Sequence, residues 1–118
     1  MTANLVAFQR ARLDEDERAA RQADDSPFEG RTLGRHDQAA VITKEGSASL
    51  ILLDGSRAAA NGVHIARHDP ARVVRQTALL RNRVDLWSRM VGSHARACLR
   101  AVAAIWADHL DYREEWRP

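Results

Sequence analysis

An apolar heptad pattern begins directly after Asp69 and Pro70 and narrows the range of folds open to this chain. Aspartate is a preferred N-cap residue, and proline suits the first helical position, where its missing N–H is not needed. From there the pattern recurs at alternating spacings of four and three residues, at Val73, Thr77, Leu80, Val84, Trp87 and Val91. This spacing places the residues on one face of a helix, with Val74 and Leu86 at its edges. The sequence therefore predicts a long helix whose apolar face must be covered.

A second apolar pattern follows Gly92, and Ser93 is predicted to cap the helix that carries it. Its members recur at spacings of three and four residues, at Ala95, Cys98, Val102, Ile105 and His109, with Leu99 and Trp106 alongside. Two helices with matching apolar faces and a short connection are typical of an antiparallel pair. Because the first face is longer than one short helix can cover, we expect the N-terminal helix or a second copy of the chain to complete the packing.

The N-terminal helix is predicted over residues 4–21, with Asn4 as its cap. Its narrow apolar stripe consists of Leu5, Val6, Phe8 and Leu13. The acidic run at 14–17 is expected on a solvated face, where it pairs with arginines four residues further on. The charged tail over 111–118 is predicted to dock through its aromatic residues, Tyr112 and Trp116.

The region 28–55 has β character. Two β-rich runs, 39–43 and 49–53, flank a four-residue loop that contains Gly46, which is free to adopt a positive φ. This arrangement predicts a β-hairpin, which must pack on helices because an isolated hairpin is marginally stable in water.

A short helix is expected after Ser56, which can cap it, with a weak point at Asn61 and Gly62. Together the elements predict an α+β fold, in which three to four helices accompany one small β-hairpin in a single domain over 1–118. Its segments are the N-terminal helix in 1–23, the hairpin region in 28–55, the helices in 56–110 and the charged tail in 111–118.

Charge is distributed unevenly along the chain. The formal net charge is +2, but residues 1–56 carry −3, residues 57–100 carry +7 and residues 101–118 carry −2. Two interpretations remain open: an anionic partner binds the basic middle, or the acidic ends neutralise it in the folded chain.

The composition excludes several classes of protein. One cysteine cannot form a disulfide within the chain, so a disulfide scaffold is excluded and a reducing compartment is favoured. The longest apolar run, residues 49–53, is far shorter than the roughly 18 residues that a membrane helix needs. The N-terminus also lacks the basic start and apolar core of a secretory signal. We therefore expect a cytoplasmic protein with no membrane partner.

The arginine-rich segment 57–100 is the first candidate binding region, since clustered basic charge is the footprint of phosphate binding. The candidate nucleic-acid-binding residues are Arg67, Arg72, Arg75 and Arg83. The junction at Asp69 and Pro70 is too short for a helix-turn-helix, and Trp87 lies on the apolar face rather than on a base-stacking platform. Ion pairs between these arginines and the acidic first helix are an alternative explanation for the same basic charge.

Two pairs of residues four apart, His64 with His68 and His94 with Cys98, are candidate zinc ligands. On helices each pair projects to one side, with the spacing that two zinc ligands need. Four such ligands would form a tetrahedral structural site that stabilises a small core. Two features favour the alternative of partly buried or capping histidines: His68 adjoins a helix break at Asp69, and Cys98 lies on an apolar face, where a thiol packs as a small hydrophobe.

Enzyme motifs are missing from the sequence, which has no Gly-x-Ser-x-Gly elbow, no Gly-rich phosphate loop and no His-Glu-x-x-His. We therefore predict no catalytic activity, no catalytic residues and no cofactor apart from the zinc alternative. What remains is a protein-interaction or accessory module, whose partner is another protein or a second copy of the chain in a homodimer. A nucleic-acid-associated protein is the alternative.

Three sequence blocks carry a family resemblance: LVAFQRARLDEDERAAR from Leu5, VHIARHDPARVVR from Val63 and ADHLDYREEWRP from Ala107. They resemble a family of small proteins of unknown function found in actinobacteria and their phages. The resemblance implies a cytoplasmic protein of bacterial or phage origin, and it implies no activity. Many family members have proline where Leu110 stands and further cysteines before the last helix, and the lone Cys98 departs from that pattern.

Overall fold

The structure, a computed structural model, describes residues 2–23, 27–34, 37–44 and 49–118. The helices are α1 (Thr2–Gln22), α2 (Ala58–Arg67), α3 (Pro70–Ser88) and α4 (Ser93–Ala103), and the strands are β1 (Phe28–Thr32), β2 (Gln38–Thr43) and β3 (Ser49–Asp54). Short 3₁₀ turns follow at Ala104–Trp106 and Glu114–Trp116. The predicted α+β class is confirmed. Within the described residues, no helix combines the length and the apolar character needed to cross a membrane.

The chain divides into two compact units. One consists of the residues up to 18 together with 75–118, and the other of residues 19–74. The first unit, which we call the helical unit, is built mainly from helices, and the second contains the sheet together with α2.

The sheet has three antiparallel strands in the order β1-β2-β3. Phe28 pairs with Thr43 in the first ladder and Gln38 pairs with Asp54 in the second. The pairing of β2 with β3 confirms both runs of the predicted hairpin, whose loop falls largely outside the described residues. The strand β1 was not predicted, because its sequence FEGRT combines a glycine with two charged residues and has no apolar run.

Helix α2 packs on the sheet through a glycine contact. A Cβ atom added to Gly30 of β1 would lie 2.8 Å from the backbone carbonyl carbon of Gly62, so the two backbones approach too closely for a side chain at Gly30. Gly62, which the sequence marks as a weak point of the helix, is buried within a continuous α2. The expectation that Ser56 caps this helix is wrong, since Arg57 occupies the N-cap and makes no side-chain capping hydrogen bond.

The start of α3 agrees with the sequence analysis. Asp69 Oδ1 accepts a hydrogen bond from the backbone N–H of Arg72 at 2.9 Å, which makes Asp69 a side-chain cap. Its other oxygen, Oδ2, accepts a hydrogen bond from the backbone N–H of Phe28 at 3.4 Å. One side chain thus caps α3 and fixes the start of β1.

The helical unit has an apolar core drawn from α1, α3, α4 and the last residues of the chain. Its buried members are Leu5, Val6, Phe8, Leu13, Val84, Leu99, Ala103, Trp106 and Trp116. Every residue of the predicted α1 stripe is among them, and the shared burial of Val84 and Leu99 shows that α3 and α4 contribute to one core. The tail docks as predicted, with the rings of Tyr112 and Trp116 centred 6.0 and 5.0 Å from that of Phe8.

Both predicted apolar faces end differently from expectation. Helix α3 stops at Ser88, and Val91 is fully exposed. Helix α4 buries Ala95, Leu99 and Ala103, and the 3₁₀ turn that follows buries Trp106. Ile105 is 58% exposed, because the buried face runs along Leu99 and Trp106 rather than along Cys98 and Ile105. Ser93 is the first helical residue rather than the cap; the cap is Gly92, whose φ of 119° suits a residue without a side chain.

Candidate functional site

One exposed face of α3 combines basic and large apolar side chains. We call this surface the α3 face and define it by Arg75, Leu79, Arg83 and Leu86. At 100° per residue these positions lie within an arc of roughly 80° on the helix. The buried residue Val84 points to the opposite side of the same helix. The face therefore belongs to the helical unit but contributes nothing to its core.

The apolar members of the α3 face are strongly exposed. Leu79 is 56% exposed and Leu86 is 41% exposed. Directly beyond the end of α3, Met90 is 47% exposed and Val91 fully so. Single exposed apolar residues are common on protein surfaces, but several that recur on one helix face are typical of an interaction surface.

The arginines of the α3 face have no carboxylate partner in the part of the chain that the structure describes. Among the described residues, neither Arg75 nor Arg83 forms an ion pair. Arg81, on the other side of α3, is different: its Nη2 lies 2.7 Å from Asp14 and 2.8 Å from Glu17. Burial lowers the pKa of Arg81, but hydrogen bonds and charge interactions with these two carboxylates outweigh burial and raise it above its ordinary value.

Internal neutralisation therefore applies to Arg81 of the basic middle, and binding of an anionic partner stays a prediction. The acidic run of α1 neutralises Arg81, and Arg10 neutralises Asp85 at 2.9 Å. Elsewhere in the described part of the chain, no carboxylate pairs with any other arginine of the segment 57–100. Within the described residues, no carboxylate thus neutralises the positive charge of Arg75 and Arg83.

The other two nucleic-acid candidates lie in the unit of residues 19–74. Arg67 is exposed at the end of α2, and Arg72 is partly buried in the first turn of α3. The Nη1 atom of Arg72 donates a hydrogen bond to the backbone carbonyl of Arg67 at 3.0 Å. The structure therefore groups the four predicted arginines as two pairs, Arg67 with Arg72 and Arg75 with Arg83.

The zinc candidates also form pairs. The rings of His64 and His68 are centred 4.5 Å apart, and Nδ1 of His68 forms a 2.9 Å hydrogen bond with the carbonyl of His64. Sγ of Cys98 lies 3.8 Å from Nε2 of His94. Across the residues that the structure describes, no group of three or more histidine, cysteine, aspartate or glutamate side chains is placed to hold a metal ion. Zinc binding through these four residues stays a prediction, which elemental analysis of chelator-washed protein can test.

A cluster around Arg12 was missed by the sequence analysis. The side chain is 9% exposed, and its Nη2 lies 2.8 Å from Glu15. Its Nη1 lies 2.8 and 2.6 Å from the two ring nitrogens of His109 and 3.5 Å from Asp111. The guanidinium carbon is 5.3 Å from the centre of the Phe8 ring. The available signal was the spacing of four from Phe8, which places a charged residue on the buried face of α1; the cluster holds the tail against that helix.

Comparisons with known proteins add a family but no activity. No curated protein and no solved structure matches the chain. A model of a family of unknown function, DUF6221, matches residues 2–118. Because the match spans nearly the whole sequence, the chain belongs to this family of unknown function.

Proposed function

We propose that this protein is a cytoplasmic interaction module whose α3 face binds an acidic amphipathic helix of another protein. The observation that carries the proposal is the combination, on one helix face, of two exposed leucines and two arginines that form no ion pair with any described residue. The free thiol of Cys98 is compatible with the reducing compartment.

The apolar residues favour a helical partner over a flat surface. Leu79 and Leu86 are seven residues apart, so their side chains occupy the same side of α3 two turns apart. A partner helix that lies along α3 can cover both with residues spaced in the same way. Burial of large apolar side chains supplies most of the binding free energy in contacts of this type.

The charges favour an acidic partner. Arg75 precedes Leu79 by one turn, and Arg83 lies between the two leucines. Glutamate or aspartate on the partner would pair with guanidinium groups that no carboxylate of the described chain neutralises. Complementary charge would also select this partner against basic helices of similar apolar content.

Nucleic acid explains the α3 face less well. Phosphates would satisfy Arg75 and Arg83, but they offer nothing to Leu79 and Leu86. Single-stranded nucleic acid usually stacks its bases on exposed aromatic side chains, and none lies on the α3 face. We therefore treat nucleic-acid binding as an outcome that the experiment must distinguish.

The test compares a designed acidic amphipathic peptide with a DNA duplex by fluorescence anisotropy. The peptide has about 18 residues, roughly five helical turns, with leucines on one side and glutamates beside them. We expect the wild-type chain to bind the peptide more tightly than the duplex at physiological salt. Reversal of both arginines in the R75E/R83E variant should weaken peptide binding by about tenfold, and L79S/L86S should weaken it at least as much.

The matched control is R18E/R57E, which changes the net charge equally at two exposed arginines outside the α3 face. It should bind the peptide like the wild type. Tighter binding of the duplex, with an affinity that falls steeply between about 50 and 200 mM salt, would contradict the proposal in favour of nucleic acid. A wild-type dimer that becomes a monomer in L79S/L86S, measured by light scattering, would instead assign the α3 face to a second copy of the chain.

A further inference from the structure

We propose that a pocket lined by α1, α4 and the end of the chain binds a small apolar carboxylate. The pocket has a volume of about 260 Å³, and all of its lining belongs to the helical unit. It is separate from the α3 face, so the inference does not depend on the proposed function. Its lining combines apolar residues with two arginines, the mixture expected for a ligand that has an apolar body and one anionic group.

Two arginines line the pocket and form no ion pair with the residues that the structure describes. Arg96 and Arg100 lie four residues apart on successive turns of α4 and both line the pocket. Like charges at this spacing repel, and no carboxylate in the described part of the chain forms an ion pair with either residue. Glu115 also lines the pocket, but its carboxylate lies 3.8 Å from Nη1 of Arg113. Within the described residues, two guanidinium groups therefore remain for an external anion.

Arginine suits a carboxylate better than a diffuse negative charge. Its planar group presents parallel N–H donors that match the two oxygens of a carboxylate. Ser93, one turn before Arg96 on the same side of α4, adds a hydroxyl to the pocket lining.

The apolar lining indicates that the ligand is more than a simple anion. Leu5 and Trp116 line the pocket while being only 4% and 5% exposed, because most of each side chain lies in the core. These walls are consequently held in place by the same packing that holds the helices together. An inorganic anion would leave the remaining apolar lining, to which the exposed Ala97 contributes, uncovered, whereas a short alkyl chain or a single ring would cover it. The pocket volume of about 260 Å³ accommodates a ligand of this size.

One ligand chemistry has two natural sources, a free organic acid or the C-terminal residue of a polypeptide with an apolar side chain. The test is an NMR titration of the full chain that follows the indole N–H of Trp116. The free-acid probes are octanoate and phenylacetate, and the peptide probe is an acetylated dipeptide that ends in leucine. We expect saturable shifts with these carboxylates and none with 1-octanol or with the amidated dipeptide.

The variants R96Q and R100Q should each weaken binding at least about tenfold, because each removes a charge-assisted contact. R89Q is the matched control, since Arg89 is exposed and lies outside the pocket lining. Unchanged amide spectra in the free variants verify that they fold. Stronger binding of the dipeptide than of the free acids assigns the pocket to a polypeptide C-terminus, and the reverse order assigns it to a free acid.

Any one of the following results would overturn the inference. The first is the absence of saturable binding by all of the carboxylates. The second is equal binding of 1-octanol, which would make the pocket a nonspecific apolar cleft. The third is full affinity in both R96Q and R100Q, or equal binding of inorganic phosphate, which would separate the arginines from any carboxylate selectivity.

Discussion

At Gly30 the absence of a single side chain determines how α2 meets the sheet. A Cβ at this position would lie 2.8 and 2.9 Å from the carbonyl carbon and oxygen of Gly62, and neither backbone atom can move without displacing α2. Gly62 differs, because a Cβ there would lie 3.7 Å from Ala39 Cβ and from a methyl carbon of Leu53, which are ordinary van der Waals distances. The two glycines thus have unequal roles in one contact.

Gly30→Ala should destabilise the protein by about 2 kcal/mol, since overpacking against a backbone forces α2 away from β1. Gly62→Ala is the matched control and should be neutral or stabilise by up to about 1 kcal/mol, because alanine favours a helix interior. Urea denaturation of the three chains measures both effects. Equal destabilisation by the two substitutions would show that the contact does not distinguish the glycines.

Arg12 should contribute to stability through the tail. Arg12→Ala removes the partner of His109 and opens a gap beside Phe8, so we expect a loss of about 2 kcal/mol in the free energy of unfolding. Arg18→Ala, at an exposed position of the same helix, should leave stability within about 0.5 kcal/mol. Thermal denaturation, together with limited proteolysis of the tail, measures the difference; an Arg12→Ala chain as stable as Arg18→Ala would contradict this role.

At the scale of helices and strands, the sequence predicted the elements whose position follows from the spacing of apolar residues. The apolar spacing located α1, α3 and α4, and Asp69 with Pro70 located the start of α3. Periodicity could not locate β1, whose place in the sheet depends on β2 and on the glycine contact with α2. It also could not decide whether Ile105 or its neighbour Trp106 lies on the buried face, because both residues are apolar.

The burial of Val84 and the exposure of Val91 predict different effects of substitution at these two positions. Val84 is fully buried, so Val84→Ala should cost about 2 kcal/mol from lost apolar burial and the cavity that remains. Val91→Ala, at the last position of the predicted pattern, should have no measurable effect because Val91 is fully exposed. Chemical denaturation checks both values, and a comparable loss at Val91 would restore the longer face that the sequence suggested.

At the scale of the whole molecule, the sequence showed where the basic charge is concentrated. It did not show which of the arginines the acidic residues neutralise. Arg75 and Arg83 were selected from the sequence, whereas the exposure of Leu79 could not be read from a helix in which apolar residues occur on more than one side. Which arginines the acidic run neutralises depends on the packing of α1 against α3, and that packing selects Arg81. The α3 face is a candidate binding surface because Leu79 is exposed and because the acidic run pairs with Arg81 rather than with Arg75 or Arg83.

The most direct test of the α3 face is photo-crosslinking in the cells that naturally produce this protein. A photoreactive amino acid replaces Leu79 in one chain and the exposed Leu52 of β3 in a control chain. We predict a protein adduct from position 79 whose crosslinked segment is an acidic amphipathic helix, and loss of that adduct when R75E/R83E is added. An adduct with nucleic acid, or equal yields of the same adducts from positions 79 and 52, would contradict a protein-docking role for the α3 face.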